Sequence, residues 1–114
     1  MLDISLWPVD ERRRVKGVFT DIDDTLTTNG VISKQALSAL HKLQQAGISV
    51  IAITGRPVGW CAPFASEWPV DAIVAENGAV ALVRERKYYL QDAPTRASNQ
   101  LKMSKVLATI LQTV

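Results

Sequence analysis

Apolar and polar residues alternate along this chain in blocks that predict strands and helices in turn. Short apolar runs at residues 17–22, 48–53 and 72–75 predict three buried strands. Between the first two, Ser33 is a favoured helix N-cap and Gly47 favours a helix end. The apolar positions between them keep to one helix face: Ala36, Leu37, Leu40 and Leu43. Because strand–helix–strand units are right-handed and parallel, the pattern predicts an α/β fold.

The segment after the second strand predicts another helix. It starts at Pro57, and Pro63 predicts a kink or a break before Pro69 ends it. Its aromatic residues recur at near-helical spacing and are interpreted as core: Trp60, Phe64 and Trp68. Cys61 lies among them and is interpreted as a small buried hydrophobe without chemistry.

Two Asn-Gly pairs predict turns. Residues 27–30 end in Asn29-Gly30 between β-branched residues, which predicts a small hairpin after the first strand. Asn77-Gly78 also lies between apolar runs and by pattern alone predicts a two-residue hairpin. After residues 91–95 a last helix is predicted, with an apolar stripe that needs a packing partner: Met103, Leu107, Ile110, Leu111 and Val114.

Composition narrows the function classes. With 114 residues the chain is one domain at most, and 47% hydrophobic residues suffice for a core. A net charge of +2 is too small to indicate nucleic acid, and Arg12-Arg13-Arg14 with Lys16 is interpreted as a solvated lead-in. The single cysteine excludes an internal disulfide, so we expect a reducing, cytoplasmic setting. Neither a signal peptide nor a membrane-spanning stretch is expected.

Three carboxylates follow the first predicted strand: Asp21, Asp23 and Asp24. In open α/β sheets, ligands bind at the carboxyl ends of the strands. If the extended trace holds through Asp23, then Asp21 and Asp23 face one point, and their like charges favour a bound cation such as Mg²⁺. The alternative is an acidic loop that only solubilises the strand end.

Thr54-Gly55-Arg56-Pro57 follows the second strand and is expected at the same sheet edge as Asp21. A hydroxyl, a guanidinium fork and the N–H groups of a helix start all suit phosphate oxygens. The alternative is that Thr54 is a helix N-cap and Arg56 points into solvent. The only histidine, His41, has no implied partner and is interpreted as a helix-surface residue.

Residues 18–26 resemble motif I of the haloacid dehalogenase (HAD) superfamily, an apolar strand followed by Asp-x-Asp-x-Thr-Leu. The resemblance implies that Asp21 is the nucleophile that becomes an aspartyl phosphate, and that Asp23 is the general acid. It implies Mg²⁺ held by the Asp21 carboxylate and the Asp23 backbone carbonyl. Residues 54–56 look like motif II, which implies that Thr54 and the backbone near Gly55 hold the phosphoryl group. Arg56 would steer the anionic substrate.

Glu76-Asn77-Gly78-Ala79 resembles the Cof-type branch, subfamily IIB, which carries a C2 cap. This implies that the third parallel strand stops here, and that a hairpin follows over 79–83 and 87–90. Asn77 would either approach the substrate or only form the turn. The implied organisation is a lead-in at 1–16, a partial HAD core at 17–83 and the start of the cap at 84–114. The core is then a partial, Rossmann-like, doubly wound parallel sheet of about three strands.

The resemblance covers residues 17–114, which correspond to the first half of a family member. Neither the Lys of motif III nor the acidic pair of motif IV is matched. The expected function is a Mg²⁺-dependent phosphatase of small phosphorylated metabolites, with sugar phosphates as the family-level expectation and with impaired activity for this chain.

Two alternatives stay open. One is a catalytically silent chain with a weak Mg²⁺ or phosphate site, or one that self-associates through the exposed edge of the first strand. The other, a phospho-receiver domain, is disfavoured because position 76 is Glu rather than an acceptor Asp.

Overall fold

The computed structural model describes residues 3–113. Its strands are β1 Gly17–Thr20, β2 Thr27–Thr28, β3 Val31–Ile32, β4 Ser49–Ile53, β5 Ala72–Ala75, β6 Val80–Val83 and β7 Arg86–Tyr89. Its α-helices are α1 Val9–Arg12, α2 Lys34–Gln45, α3 Val58–Glu67 and α4 Ala93–Thr113, with 3₁₀ turns at Ile4–Leu6 and Glu76–Gly78.

Five strands form one sheet in the order β1-β4-β5-β6-β7. The first three are parallel, with Val18 opposite Val50 and Ala52 opposite Ile73. β5–β6 and β6–β7 are antiparallel pairs. The predicted α/β class and the three parallel strands followed by a hairpin are therefore confirmed. The hairpin bounds differ by one residue, because Arg84 adopts a positive φ of 55° and the turn is the two-residue Arg84-Glu85.

The helices α2 and α3 pack on one face of the sheet. Both crossovers lead to the next strand in the same direction, and right-handed crossovers of this kind place their helices on the same side. The core joins alternate strand residues to α3, and its buried members are Ile22, Ala52, Cys61, Ala65, Trp68, Ile73, Ala75, Val80 and Leu82. Leu37 of α2 packs against the same core.

The opposite face of the sheet carries the other set of alternating side chains. Phe19 is 70% exposed, Ile53 40% and Tyr88 53%. Register places Phe19 beside Ile51, and Ile53 beside Val74. This apolar face is therefore open to solvent in the part of the chain that the structure describes.

The predicted ends of α2 are confirmed. The Ser33 hydroxyl accepts the Ala36 N–H at 3.1 Å, which caps the first turn. At the other end Gly47 has φ +74°, and the Ile48 N–H donates to the Leu43 carbonyl at 2.9 Å. This hydrogen bond is that of a Schellman motif, in which glycine supplies the left-handed conformation.

Of the kink or break predicted at Pro63, the break is wrong, because α3 runs without interruption from Val58 to Glu67. Three aromatic rings one turn apart follow its length. Trp60 and Phe64 lie 5.0 Å apart, and Phe64 stacks on Trp68 at 4.6 Å. Their packing against the core outweighs the backbone hydrogen bond that proline cannot donate. Cys61 is fully buried in this helix, as predicted, and burial raises the pKa of its thiol.

The helix α4 begins after Asp92, whose carboxylate accepts the Thr95 N–H at 2.8 Å. The predicted apolar stripe is exposed, with Met103 at 68% and Leu111 at 67%, and Val114 lies outside the described residues. None of the helices in residues 3–113 is both long enough and apolar enough to cross a membrane. Residues 3–14 are exposed, in agreement with a solvated lead-in.

Candidate active site

Asp21 and Thr54 follow neighbouring parallel strands. Thr20, the last residue of β1, is in register with Ala52 of β4, so the segments that follow the two strands leave the sheet on the same side. One open depression of about 450 Å³ is lined by Phe19, Thr20, Asp21, Ile53, Thr54, Gly55 and Asn77. The structure thus brings together four of the predicted site residues: Asp21, Thr54, Gly55 and Asn77.

The extended trace does not continue through Asp23, and this part of the prediction is wrong. β1 ends at Thr20, and Ile22 is fully buried. The Ile22 carbonyl accepts the N–H groups of Thr25, Leu26 and Thr27 at 2.9–3.2 Å, which winds the chain into a tight turn. Burial of Ile22 and this shared acceptor fix Asp23 on the turn rather than on the strand.

Arg56 binds Asp23 with both arms of its fork. Nη2 donates to Oδ1 at 2.9 Å and Nε donates to Oδ2 at 3.1 Å. The guanidinium also lies over the Trp60 ring, 4.8 Å from its centroid. These hydrogen bonds, and secondarily the positive charge, lower the pKa of Asp23 despite some desolvation. The Arg56 side chain is 47% exposed and so does reach solvent, as the alternative expected, but it has a partner there in Asp23.

Three of the four backbone N–H groups in residues 54–58 are engaged. Thr54 N–H donates to the Val74 carbonyl at 2.9 Å, and Arg56 N–H donates to the Thr54 hydroxyl oxygen at 3.1 Å. Val58 N–H donates to the Glu76 carboxylate at 2.9 Å. Within residues 3–113 the N–H of Gly55 has no partner. Its N–H and the Thr54 hydroxyl proton are the donors that remain for an anion.

This arrangement corrects two expectations about the loop. Thr54 is not the N-cap of α3, since Pro57 occupies that position. The first N–H of α3, at Val58, is not free for a phosphate, because Glu76 already accepts its hydrogen bond. The anion donors therefore lie one turn earlier in the chain than a helix start would place them.

Glu76 is a residue to which sequence reasoning assigned no role in the site. It and Asn77 both have positive φ, at 52° and 55°. Glu76 N–H donates to the Arg56 carbonyl at 3.0 Å, and Asn77 N–H donates to the Thr54 carbonyl at 3.2 Å. The available signal was a carboxylate at the carboxyl end of the third parallel strand, the edge where the other site residues lie.

Asn77 also lies against Gly55. A Cβ at Gly55 would meet the Asn77 Oδ1 atom at 2.9 Å, closer than ordinary contact. Glycine at this position leaves room for the Asn77 amide, which a larger side chain would have to displace. Asn77 also lines the depression.

Two oxygen atoms of the site could hold Mg²⁺, one from the Asp21 carboxylate and one from the Asp23 backbone carbonyl. No group of three His, Cys, Asp or Glu side chains among residues 3–113 forms a metal cage. Mg²⁺ does not need one, since it commonly takes one or two protein oxygens with water and phosphate. Asp21 uses Oδ1 to accept the Ile22 N–H at 2.8 Å, and its second carboxylate oxygen has no partner among residues 3–113. The Asp23 carboxylate is occupied by Arg56, which leaves its backbone carbonyl.

Known proteins resemble this chain in sequence and in fold. The sequence profile of the haloacid dehalogenase-like hydrolases matches residues 18–110. A HAD-superfamily phosphatase of Bacteroides thetaiotaomicron, BT1666, superposes with a TM-score of 0.61 at 21% identity, over 93% of this chain and 40% of that one. The subclass IIB sugar phosphatase BT4131 superposes with a TM-score of 0.54 at 28% identity, over 66% and 31%.

A haloacid dehalogenase-like hydrolase of B. subtilis gives a TM-score of 0.61 at 26% identity, over 82% of this chain and 34% of that one. The chain therefore spans less than half the length of these structures. The family profile covers most of the chain, and the neighbours share its parallel sheet with helices. On these grounds the chain belongs to the haloacid dehalogenase-like hydrolase family.

Proposed function

We propose that this chain carries the nucleophile half of a Mg²⁺-dependent phosphate-monoester hydrolase. The observation that carries the proposal is the depression that Asp21, Thr54 and Gly55 line together. Among residues 3–113 one Asp21 carboxylate oxygen, the Thr54 hydroxyl proton and the Gly55 N–H have no partner. A carboxylate nucleophile beside two anion donors suits phosphoryl transfer, where positioning and electrostatics supply most of the catalysis.

In the proposed reaction the free Asp21 oxygen attacks phosphorus and the bond from phosphorus to the ester oxygen breaks. Asp23, in its protonated form, gives a proton to the leaving oxygen. Water then attacks the aspartyl phosphate while the Asp23 carboxylate accepts a proton, which releases orthophosphate and restores Asp21. Mg²⁺, held by the Asp21 carboxylate and the Asp23 carbonyl, would offset charge on the phosphoryl oxygens.

Arg56 has to leave Asp23 during this cycle. Both Asp23 carboxylate oxygens accept hydrogen bonds from the guanidinium, and these bonds lower the pKa of Asp23 and so oppose the protonated form that the first step needs. A substrate phosphate offers the Arg56 fork a second anion of suitable geometry. We infer that Arg56 passes from Asp23 to the substrate, a more specific role than electrostatic steering.

The proposal also covers the class of substrate, the organisation of the chain and the cellular setting. A small phosphorylated metabolite is inferred, with a sugar phosphate as the first candidate, because a neighbour at 28% identity is a sugar phosphatase. We infer a lead-in, a partial core at 17–83 and the start of a cap at 84–114, because β7 and α4 follow the last site residues. A reducing cytoplasmic setting is inferred from Cys61, which is buried and unpaired. No nucleic-acid or membrane partner is proposed.

Hydrolysis of an aryl phosphate tests the nucleophile. Asp21→Asn is expected to abolish Mg²⁺-dependent release of the phenol, and removal of Mg²⁺ by EDTA is expected to do the same to the parent. Asp24→Asn is the matched control, because Asp24 is exposed and its φ of 58° is tolerated by Asn. Activity of Asp21→Asn equal to the parent would reject the assignment. Mg²⁺-dependent orthophosphate binding without turnover in the parent would favour the silent alternative.

We also infer that the chain pairs with a second copy of itself through β1. This strand lies at the end of the sheet, and its exposed Phe19 adjoins the open apolar face. Phe19→Lys is expected to convert dimers to monomers in light scattering at micromolar concentration, since lysine on an edge strand opposes pairing. Val31→Lys, at a position 69% exposed in the β2–β3 hairpin, is the control. A monodisperse parent monomer would count against the pairing.

A further inference from the structure

The loop at residues 54–58 is fastened to the turn after β5. Backbone N–H groups of Glu76 and Asn77 donate to the carbonyls of Arg56 and Thr54 at 3.0 and 3.2 Å. The Glu76 carboxylate returns to the same loop and accepts the Val58 N–H at 2.9 Å. Glu76 holds this position in a left-handed backbone conformation, φ 52°, that residues other than glycine rarely adopt. The turn is thus bound to the loop at three points.

The most consequential of these bonds is the one to Val58. Its N–H is the first of α3, a ten-residue helix, and helix N-termini attract anions through free N–H groups and the helix dipole. Here the anion at the helix start is the chain's own Glu76 carboxylate. A substrate phosphate that approached this helix end would meet an occupied donor and a like charge.

Two clefts that share no lining residue lie near this contact. Gly55 lines the depression that also holds Asp21 and Thr54. Val58 and Glu76 line a different cleft, of about 740 Å³, together with Tyr89, Arg96 and other residues of β7 and α4. A phosphate bound at the start of α3 would therefore lie in a cleft that Asp21 does not line.

We propose that Glu76 is a positioning residue that closes the start of α3 to anions and so keeps a substrate phosphate on Gly55 and Thr54, beside Asp21. This inference rests on the proposed phosphate site and adds a residue that does not touch the substrate. It assigns the carboxylate a role in choosing between two neighbouring anion positions, in addition to tying the loop.

Amide NMR of Gly55 and Val58 during titration with inorganic phosphate in the presence of Mg²⁺ tests the proposal. In the parent, the Gly55 resonance is expected to shift and the Val58 resonance to stay. Glu76→Gly removes the carboxylate without strain at φ 52°. In this variant the Val58 resonance is expected to shift with phosphate, and its hydrogen-exchange protection is expected to fall roughly fivefold, as for a lost cap.

Two further variants separate positioning from general loss of structure. Glu76→Gln keeps an oxygen that can accept the Val58 N–H, so it is expected to restore the parent's pattern and Val58 protection. Glu85→Gln, in the exposed turn between β6 and β7, is expected to behave as the parent. The Glu76→Gly spectrum outside residues 54–58 and 76–79 serves as the check on folding.

The outcomes distinguish this inference from the function on which it rests. A Val58 response to phosphate in the parent, or no Val58 response in Glu76→Gly, overturns the role of Glu76. Absence of any Gly55 response in the parent overturns the proposed phosphate site. If the Gly55 resonance did not shift in the parent, a phosphate-dependent shift of the Val58 resonance in Glu76→Gly alone would still show that the Glu76 carboxylate closes the start of α3.

Discussion

Replacing Gly55 by alanine tests how tightly the two site loops are packed. The added Cβ would lie 2.9 Å from Asn77 Oδ1 and 3.5 Å from Asn77 Cγ. Ordinary van der Waals contact begins at 3.4 Å, so the amide has to retreat by about half an ångström. Asn77 cannot move freely, because its N–H is bound to the Thr54 carbonyl.

The expected cost is that of a modest overpacking, about 1–2 kcal/mol of unfolding free energy. Gly59→Ala is the matched control, since nothing lies within 4 Å of a Cβ there and Gly59 is the second residue of α3. Alanine is favoured over glycine by up to about 1 kcal/mol in a helix interior, so a smaller stabilisation is expected in this first turn. Both variants add the same methyl group. Because only the one at Gly55 meets another side chain, the two variants are expected to change the free energy of unfolding in opposite directions.

A second substitution locates the clash. Asn77→Gly removes the amide and tolerates φ 55°, so the double variant Gly55→Ala/Asn77→Gly is expected to regain at least half of the loss. Urea unfolding followed by tryptophan fluorescence measures all four variants, with Trp60 and Trp68 reporting on α3 and its end. If Gly55→Ala and Gly59→Ala stabilise equally, or if the double variant regains nothing, the close packing of the two loops is refuted.

Two further predictions concern charge and core. Arg56→Gln is expected to raise the pKa of Asp23 toward its ordinary 3.8, because the hydrogen bonds and charge that lower it are lost. The Arg56–Asp23 pair stabilises the fold above the ordinary pKa of Asp23, and this stabilisation disappears as the pH falls through the lowered pKa of the folded state. The difference in unfolding free energy between parent and variant is therefore expected to shrink in acid. Identical Asp23 titration midpoints in carboxyl NMR of the two proteins would contradict this. Leu82→Ala, at a side chain 1% exposed, is expected to cost about 2–5 kcal/mol in urea unfolding. Leu90→Ala, at 81% exposure, should cost less than about 0.5 kcal/mol, and equal costs would place Leu82 outside the core.

The position of the site follows from the parallel strands. β1, β4 and β5 end on the same side of the sheet, and each is followed by a segment that lines the depression: Asp21, Thr54 with Gly55, and Asn77. Backbone bonds join the second segment to the third. Among residues 3–113, Asp21 is joined to them through the sheet and through Arg56 bound to Asp23. Movement of Arg56 would therefore loosen the first segment and leave the other two together.

Several elements were determined by the sequence alone. The helix α2 has its cap at Ser33 and its left-handed end at Gly47, and β5 covers the predicted residues 72–75. The β2–β3 hairpin has Asn29 and Gly30 at φ 52° and 79°, as its turn requires. These features depend on residues within a few positions of each other, so propensity and periodicity suffice to predict them. The common edge for Asp21 and Thr54 followed from the handedness of the crossover.

Only the tertiary structure decided the contacts that make the site specific. Arg56 and Asp23 are 33 positions apart, and Glu76 and Val58 are 18 apart. Their pairing depends on how each chain segment leaves the sheet, which burial of Ile22 and the turn at residues 76–78 determine. The unbroken α3 likewise depends on the core on which its aromatic side chains pack. Local pattern carries no information on such long-range competition for donors and acceptors, because each partner has an equally good local alternative in solvent.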